Sequence, residues 1–230
     1  MPRQVPLPLP RAKAEAFSRD DFFATAANAT ALAAIEGWRD WPEGKLVLVG
    51  PPGAGKSHLT RIWAEAAGAT LLPADRLAET DLPALAAQGA VALDDAAAIA
   101  GQPATERALF HLHNLLTASR GRLLLTAASA PMLWPVKLPD LASRLQAIPL
   151  ARLEAPDEAL LSAVLVKLFA DRQLAVAPAV IAYLALRLPR SLAAARSLVA
   201  ALDAEALASR REINRALAAE VLDSLPEAGQ

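Results

Sequence analysis

Eight consecutive residues, Gly50-Pro51-Pro52-Gly53-Ala54-Gly55-Lys56-Ser57, constrain the fold of this chain more than any other stretch. They fit the pattern G-x-x-x-x-G-K-[ST] at every position, and their surroundings fit as well. Lys45 to Val49 (KLVLV) before them is a short, apolar, β-rich run, and a helical pattern follows from Lys56 to Ala67, with His58 in its first turn. Strand, glycine loop and helix in that order make a phosphate cradle. The glycines let backbone N–H groups converge on phosphate oxygens, and the helix N-terminus adds a favourable dipole. Lys56 reaches the β and γ phosphates, and the Ser57 hydroxyl is placed to bind Mg²⁺. The expected ligand is ATP or ADP.

Strand and helix signals alternate on both sides of the loop. Ala29 to Trp38 reads as a helix ending near Gly37, and Glu106 to Ala118 carries Leu109, Leu112, Leu115 and Leu116 at helical spacing. Ala69–Leu72, Ala90–Leu93, Arg122–Thr126 and Ala147–Leu150 read as strands. Such alternation implies an α/β fold, a parallel sheet covered by helices on both faces. After Pro156 the pattern changes to helices alone: Asp157–Arg172, Pro178–Arg187, Arg190–Leu207 and about Ile213–Leu222. The expected organisation is a flexible tail over 1–16, an α/β nucleotide-binding domain over 17–153, a helical lid subdomain over 154–225 and a short tail over 226–230.

Composition excludes several other classes. Hydrophobic residues are 54% and charged residues 20%, enough apolar material for a sizeable core. The formal net charge of −1 offers no basic field for a nucleic-acid backbone, so DNA contact is expected to be weak or indirect. With no cysteine there is no disulfide framework and no thiolate metal site. His111 and His113 lie two apart on a helix, so their rings diverge and predict packing or solvation, not ligation. No long uncharged apolar run or signal pattern occurs, which predicts a cytoplasmic protein without membrane contact.

Asp94 and Asp95 close the apolar strand Ala90–Leu93. A carboxylate at that strand end, taken to lie beside the strand of the phosphate loop, holds the Mg²⁺ shell through water. Asp94 takes that role, and Asp95 next to it polarises an attacking water. The competing reading is that the aspartates cap the next helix. Thr126 ends its own strand and is either a group that orients the same water or an ordinary β-branched strand residue. In the tail, Gln4-Val5-Pro6-Leu7-Pro8-Leu9 alternates prolines with apolar residues. Such a segment stays extended and suits docking into an apolar groove.

With these residues in place, the chain resembles the DnaA family of AAA+ ATPases, and within it the short Hda branch that acts in regulatory inactivation of DnaA. The resemblance runs from about Phe17 to Leu225. Phe17, Asp21-Phe22-Phe23 and Asn28 resemble the family's adenine-side box. GPPGAGKSHL (50–59) is similar to its Walker A and VALDD (91–95) to its Walker B. LLLTAAS (123–129) occupies the sensor 1 region. LPDLASRL (138–145) looks like the box that supplies the arginine finger, which puts that role on Arg144. LPRSLAAARSLVAAL (188–202) resembles the sensor 2 helix, with Arg190 at the sensor position.

The resemblance implies an AAA+ fold with a helical lid, and a nucleotide-bound regulator of replication initiation. QVPLPL (4–9) is similar to the branch's sliding-clamp motif, with Gln4 making polar contacts and Leu7 and Leu9 filling the clamp's groove. DnaA would be met through the face carrying Arg144, and a homodimer is a further assembly open to the chain. Two departures bear on this. Ala128 stands where relatives carry an aspartate, which predicts weak intrinsic hydrolysis, and the origin-reading helix-turn-helix domain is not found after the lid. Outside this reading stand an autonomous ATPase or small-molecule kinase and a DNA-binding helicase-loader-like ATPase.

Overall fold

The computed structural model describes residues 19–224. In chain order its elements are α1 (Ala29–Glu36), β1 (Lys45–Val49), α2 (Lys56–Ala67), β2 (Thr70–Pro73), α3 (Leu82–Ala87), β3 (Ala90–Asp94), α4 (Pro103–Ala118), β4 (Arg122–Ala127), α5 (Pro139–Ala147) and β5 (Leu150–Arg152). The helices α6 (Glu158–Asp171), α7 (Pro178–Arg187), α8 (Leu192–Ser209) and α9 (Arg215–Ser224) follow. The five strands form one parallel sheet in the order β2-β3-β4-β1-β5.

Side-chain alternation along the strands separates two apolar layers, as a period of two requires. Val47 and Val49 of β1, Val91 and Leu93 of β3, and Leu123 and Leu125 of β4 pack with Leu85, Leu109, Leu112, Leu116, Leu141 and Leu145 from α3, α4 and α5. The opposite face, Leu46, Leu48, Ala90, Ala92 and Leu124, packs with Leu32, Ile35, Leu59, Ile62 and Trp63 from α1 and α2. The two alanines of β3 leave room for the fully buried Trp63, whose ring stacks on Trp41 with centroids 5.3 Å apart. A third cluster, Leu161, Leu165, Leu184, Leu198, Leu202 and Leu217 among others, belongs to α6–α9 and the segments that connect them. Asp157 and Ser191 start two of these helices, accepting from Leu160 N–H at 2.7 Å and Ala194 N–H at 3.3 Å. The helical unit is tied to the segment before α1 by Glu154 N–H donating to the Ala27 carbonyl at 3.1 Å and by a Lys167–Asp21 ion pair of 2.9 Å.

Four expectations change. The strand ending in Asp94 is not next to β1, because β4 lies between them. Strand order is set by crossover connections, which leave no local trace in the sequence. The strand expected at Ala147–Leu150 begins at Leu150, and Ala147 closes α5, a helix started by Pro139 in its first turn and buried through Leu141 and Leu145. The helix expected from Arg190 begins at Leu192, because Ser191 caps it, so Arg190 precedes the helix. The helix expected from Glu106 begins at Pro103, where proline's fixed φ suits a first turn. The tail residues Gln4, Leu7 and Leu9, and Phe17, lie outside the described residues.

Glu106 is 1% exposed and has a function that helical spacing concealed. Its carboxylate accepts from Gly101 N–H at 2.8 Å, Lys137 N–H at 3.0 Å and Leu138 N–H at 2.8 Å. It thereby fastens the entry to α5 onto the start of α4. Burial pushes the Glu106 carboxyl up, but the N–H donors outweigh it and hold it below the usual carboxylate range. The folded value being the lower one, this stabilisation is present above the unfolded value and lost as pH falls through the folded one. Replacing Glu106 with Ala should cost about 1–3 kcal/mol, since three part-buried N–H donors lose their acceptor. The stability gap between wild type and Glu106→Gln, followed by urea unfolding, should shrink as pH falls through and below the ordinary carboxylate range.

Candidate functional site: the phosphate loop and its surroundings

The loop from Gly50 to Gly55 leaves the C-terminal end of β1 and enters α2 at Lys56. Gly50 N–H donates to the Ala127 carbonyl of β4 at 3.1 Å, and a Cβ on Gly50 would lie 2.7 Å from the Leu153 carbonyl oxygen, so the loop's first residue has no room for a side chain. His58 and Leu59 N–H both donate to the Gly55 carbonyl at the start of the helix. The earlier N–H groups have no intrahelical acceptor and form the anion-facing end of α2. The Lys56 ammonium lies within the loop, donating to the carbonyls of Gly50 at 2.7 Å and Pro51 at 3.0 Å. Burial lowers its pKa, and the nearby Asp94 and Asp95 carboxylates oppose that shift.

The acidic pair is held by Thr126. This residue, fully buried at the end of β4, donates its hydroxyl proton to Asp94 Oδ1 and accepts from Asp95 N–H at 3.1 Å. Its proton is committed to Asp94, so Thr126 fixes the carboxylate in place and does not offer a donor to a water. Asp95 stands in the left-handed region, φ 52 and ψ 52, directly before a short 3-10 turn. The sequence reading found all three residues but missed that β4, lying between β1 and β3, brings them together.

Other expected residues fall into two places. Phe22 packs edge-on against His58 of α2, ring centroids 5.1 Å apart. Asn28 is buried, accepting from Thr25 N–H and donating to the Phe23 carbonyl, both at 2.9 Å, and so orders the segment that carries Phe22. On the far side of the loop the helical unit touches it directly: Leu192 N–H donates to the Gly53 carbonyl at 2.8 Å. Arg190 is an exposed neighbour of that contact. Arg144 belongs elsewhere, exposed in the last turn of α5 with its guanidinium over the Phe110 ring, 5.2 Å from the centroid. It shares a cavity with Lys45, the first residue of β1, whereas the loop begins at that strand's other end.

The donor set suits a magnesium ion shared with phosphates. Ser57 and Asp94 are exposed at the loop's rim, and among the described residues no group of three or more His, Asp or Glu side chains is placed to cage a metal alone. Magnesium keeps waters and takes one or two protein ligands plus phosphate oxygens, which is what this pair can supply. His113 is buried and His111 exposed, the diverging arrangement expected of them.

The Gly53 contact generates a test of loop and lid as one unit. Gly53 has φ +73°, and a Cβ there would lie 2.0 Å from Ser191 Oγ. Gly53→Ala should therefore unseat the start of α8 and cost on the order of 2–4 kcal/mol, through left-handed strain plus overlap. Urea unfolding measures the loss, and faster proteolysis between β5 and α6 should accompany it.

No protein-family model and no curated protein matches this chain. Solved structures do. Domain III of the replication initiation protein DnaA from Thermotoga maritima superposes with a TM-score of 0.78 at 19% identity, covering 91% of this chain and 97% of that one. A replication initiator DnaA bound to AMPPCP and single-stranded DNA gives 0.71 at 18% identity, covering 86% and 68%. The FIGL-1 AAA domain in complex with ADP gives 0.67 at 16% identity, covering 89% and 81%. Among the described residues no helix is long and apolar enough to cross a membrane. The chain has the AAA+ fold, a parallel sheet flanked by helices and completed by a helical C-terminal unit, in the arrangement of DnaA domain III.

Proposed function

We propose that this chain is a nucleotide-bound AAA+ regulator of replication initiation, acting in the cytoplasm. In this reading it docks on the sliding clamp and stimulates hydrolysis of DnaA-bound ATP in trans. One observation carries the nucleotide assignment: Lys56, at the junction of loop and α2, lies near Asp94 and Asp95, which Thr126 holds at the end of β3. The solved DnaA bound to AMPPCP and the FIGL-1 domain with ADP support it through their fold.

Binding asks little of the backbone. Lys56 exchanges the Gly50 and Pro51 carbonyls for β and γ phosphate oxygens, and the first turn of α2 donates its N–H groups. Ser57 and, through water, Asp94 would hold Mg²⁺, which would neutralise charge on the phosphates. Asp95 is the residue for polarising water, and with Ala128 exposed beyond β4 the chain's own turnover is expected to be weak. Arg190, beside the lid contact, completes the phosphate environment. Arg144, remote from this loop, acts on a neighbour's nucleotide, while Gln4, Leu7 and Leu9 engage the clamp.

Lys56→Ala should abolish binding of labelled ADP while the protein stays folded, and unchanged affinity would remove the nucleotide assignment. Arg144→Ala should keep ADP and clamp binding but lose stimulation of DnaA-bound ATP hydrolysis, a step where arginine fingers are worth about 10³–10⁵ in rate. Leu7→Ala/Leu9→Ala should weaken capture by immobilised clamp by orders of magnitude and leave ADP affinity intact.

A further inference from the structure

At the end of β1 opposite the phosphate loop, a cavity of about 250 Å³ opens between the start of β1, α4 and the last turn of α5. Five residues of strand, about 16 Å at 3.3 Å each, separate it from the loop. Lys45, His113, Ser143 and Arg144 form its polar wall, with Glu43 at its edge.

Lys45 is 1% exposed, a rare burial for a lysine. Its ammonium donates to Thr117 Oγ1 at 2.8 Å and to the Glu43 carbonyl at 3.3 Å. Its carboxylate neighbour, Glu43 Oε2, lies 3.5 Å away on a side chain 75% exposed, so solvent screens that pairing. His113 is buried, and its Nδ1 has no hydrogen-bond partner. Burial, then the charges of Lys45 and Arg144, hold His113 down to about 4, with Asn114 and Glu43 opposing. Burial also lowers Lys45, with Glu43 opposing and Arg144 adding to the shift. Two cationic residues and a histidine whose Nδ1 lacks a hydrogen-bond partner thus line one cavity from three different elements, with Glu43 the carboxylate among its lining residues.

We propose that this cavity binds a phosphate-type oxyanion, held by the Lys45 ammonium, the Arg144 guanidinium and His113 Nδ1. Donors from three elements suit a tetrahedral anion with acceptors on every side, and Arg and Lys are the usual partners of phosphate. The volume is that of about eight waters. It falls below the roughly 300–1,000 Å³ of small-molecule sites, so it fits an anion or one phosphoryl group and not a whole nucleotide. Glu43 competes with the anion for Lys45. The anion is either free phosphate or a phosphoryl group presented by a nucleotide on another chain. Only the second source rests on the trans role proposed for Arg144.

The test is the His113 imidazole signal in ¹⁵N-labelled full-length chain, titrated with inorganic phosphate against chloride at equal ionic strength. It is run in the Lys56→Ala background so that the phosphate loop does not contribute. A saturable shift is expected, with the His113 pKa raised by about 1–3 units as a neighbouring anion requires. Lys45→Met and Arg144→Gln should each weaken the response at least tenfold, and Glu43→Gln should tighten it. Arg144 is exposed, so its variant reports even if Lys45→Met fails to fold. A second arm mixes the labelled Lys56→Ala chain with unlabelled wild type carrying AMPPCP. A response there assigns the phosphoryl group of a neighbour, and a response to phosphate alone assigns the free anion. No saturable response in either arm, or one unaltered by both variants, overturns the proposal while leaving the ADP result at Lys56 untouched.

Discussion

Every group at the phosphate end of the molecule is positioned by the burial of β1 on both faces and its pairing along both edges. The strand is buried along its whole length and bonded to β4 from Lys45 to Val49 and to β5 from Val47. The chain that leaves it at Gly50 therefore has no freedom of direction. Gly50 N–H reaches the Ala127 carbonyl at the end of β4, and Leu153 N–H reaches the Val49 carbonyl at 2.7 Å. One residue before Ala127, Thr126 grips the acidic pair of β3. Loop, acidic turn and the entrance to the helical unit are thus consecutive links of one hydrogen-bonded path. A shift in the loop or at the lid entrance passes to the sheet through main-chain bonds, and Thr126 relays it to the acidic pair through its side chain.

The opposite end of the sheet is built from unlike forces. There a buried ammonium, a neutral imidazole and a guanidinium stand together, and Glu106 secures the entry to the helix that carries Arg144. Rigidity at the phosphate loop comes from backbone pairing, whereas placement of Arg144 depends on one carboxylate collecting N–H groups from two separate segments. The first arrangement spreads its dependence over several main-chain bonds, and the second concentrates it on a single residue.

How much could be read in advance follows from the same distinction. The loop from Gly50 to Ser57 was legible because a backbone that must approach phosphates forces glycine at fixed spacing, and α2 has the bounds its pattern predicts. The helical unit was legible because leucine recurs at helical spacing without strand signals. The position of β4 was not, since a parallel strand reads alike wherever the crossovers place it. α3 and α5 were missed because six and nine residues give few turns over which a period can show. Glu106 carries no local signal at all: in sequence it is one more charged residue on a helix, and only folding brings Gly101, Lys137 and Leu138 around it. His113 is buried, within the packing or solvation its spacing predicts, but its neighbours Lys45 and Arg144 lie 68 and 31 residues away, beyond the reach of any spacing rule.

The contact between Leu192 N–H and the Gly53 carbonyl has a hereditary consequence. Both partners are main-chain atoms, so on the lid side the genetic code can rewrite the Leu192 side chain and leave the donor in place, whereas on the loop side the left-handed φ of Gly53 and its closeness to Ser191 hold that position to glycine. Of the coded residues, proline alone lacks the donor, and position 192 is the first residue of α8, where a helix accepts proline without breaking. The lid half of the connection is therefore silent in sequence, and the loop half is written in one glycine. A change of side chain at position 192 thus leaves no mark on the joint itself, whose donor and acceptor both belong to the main chain.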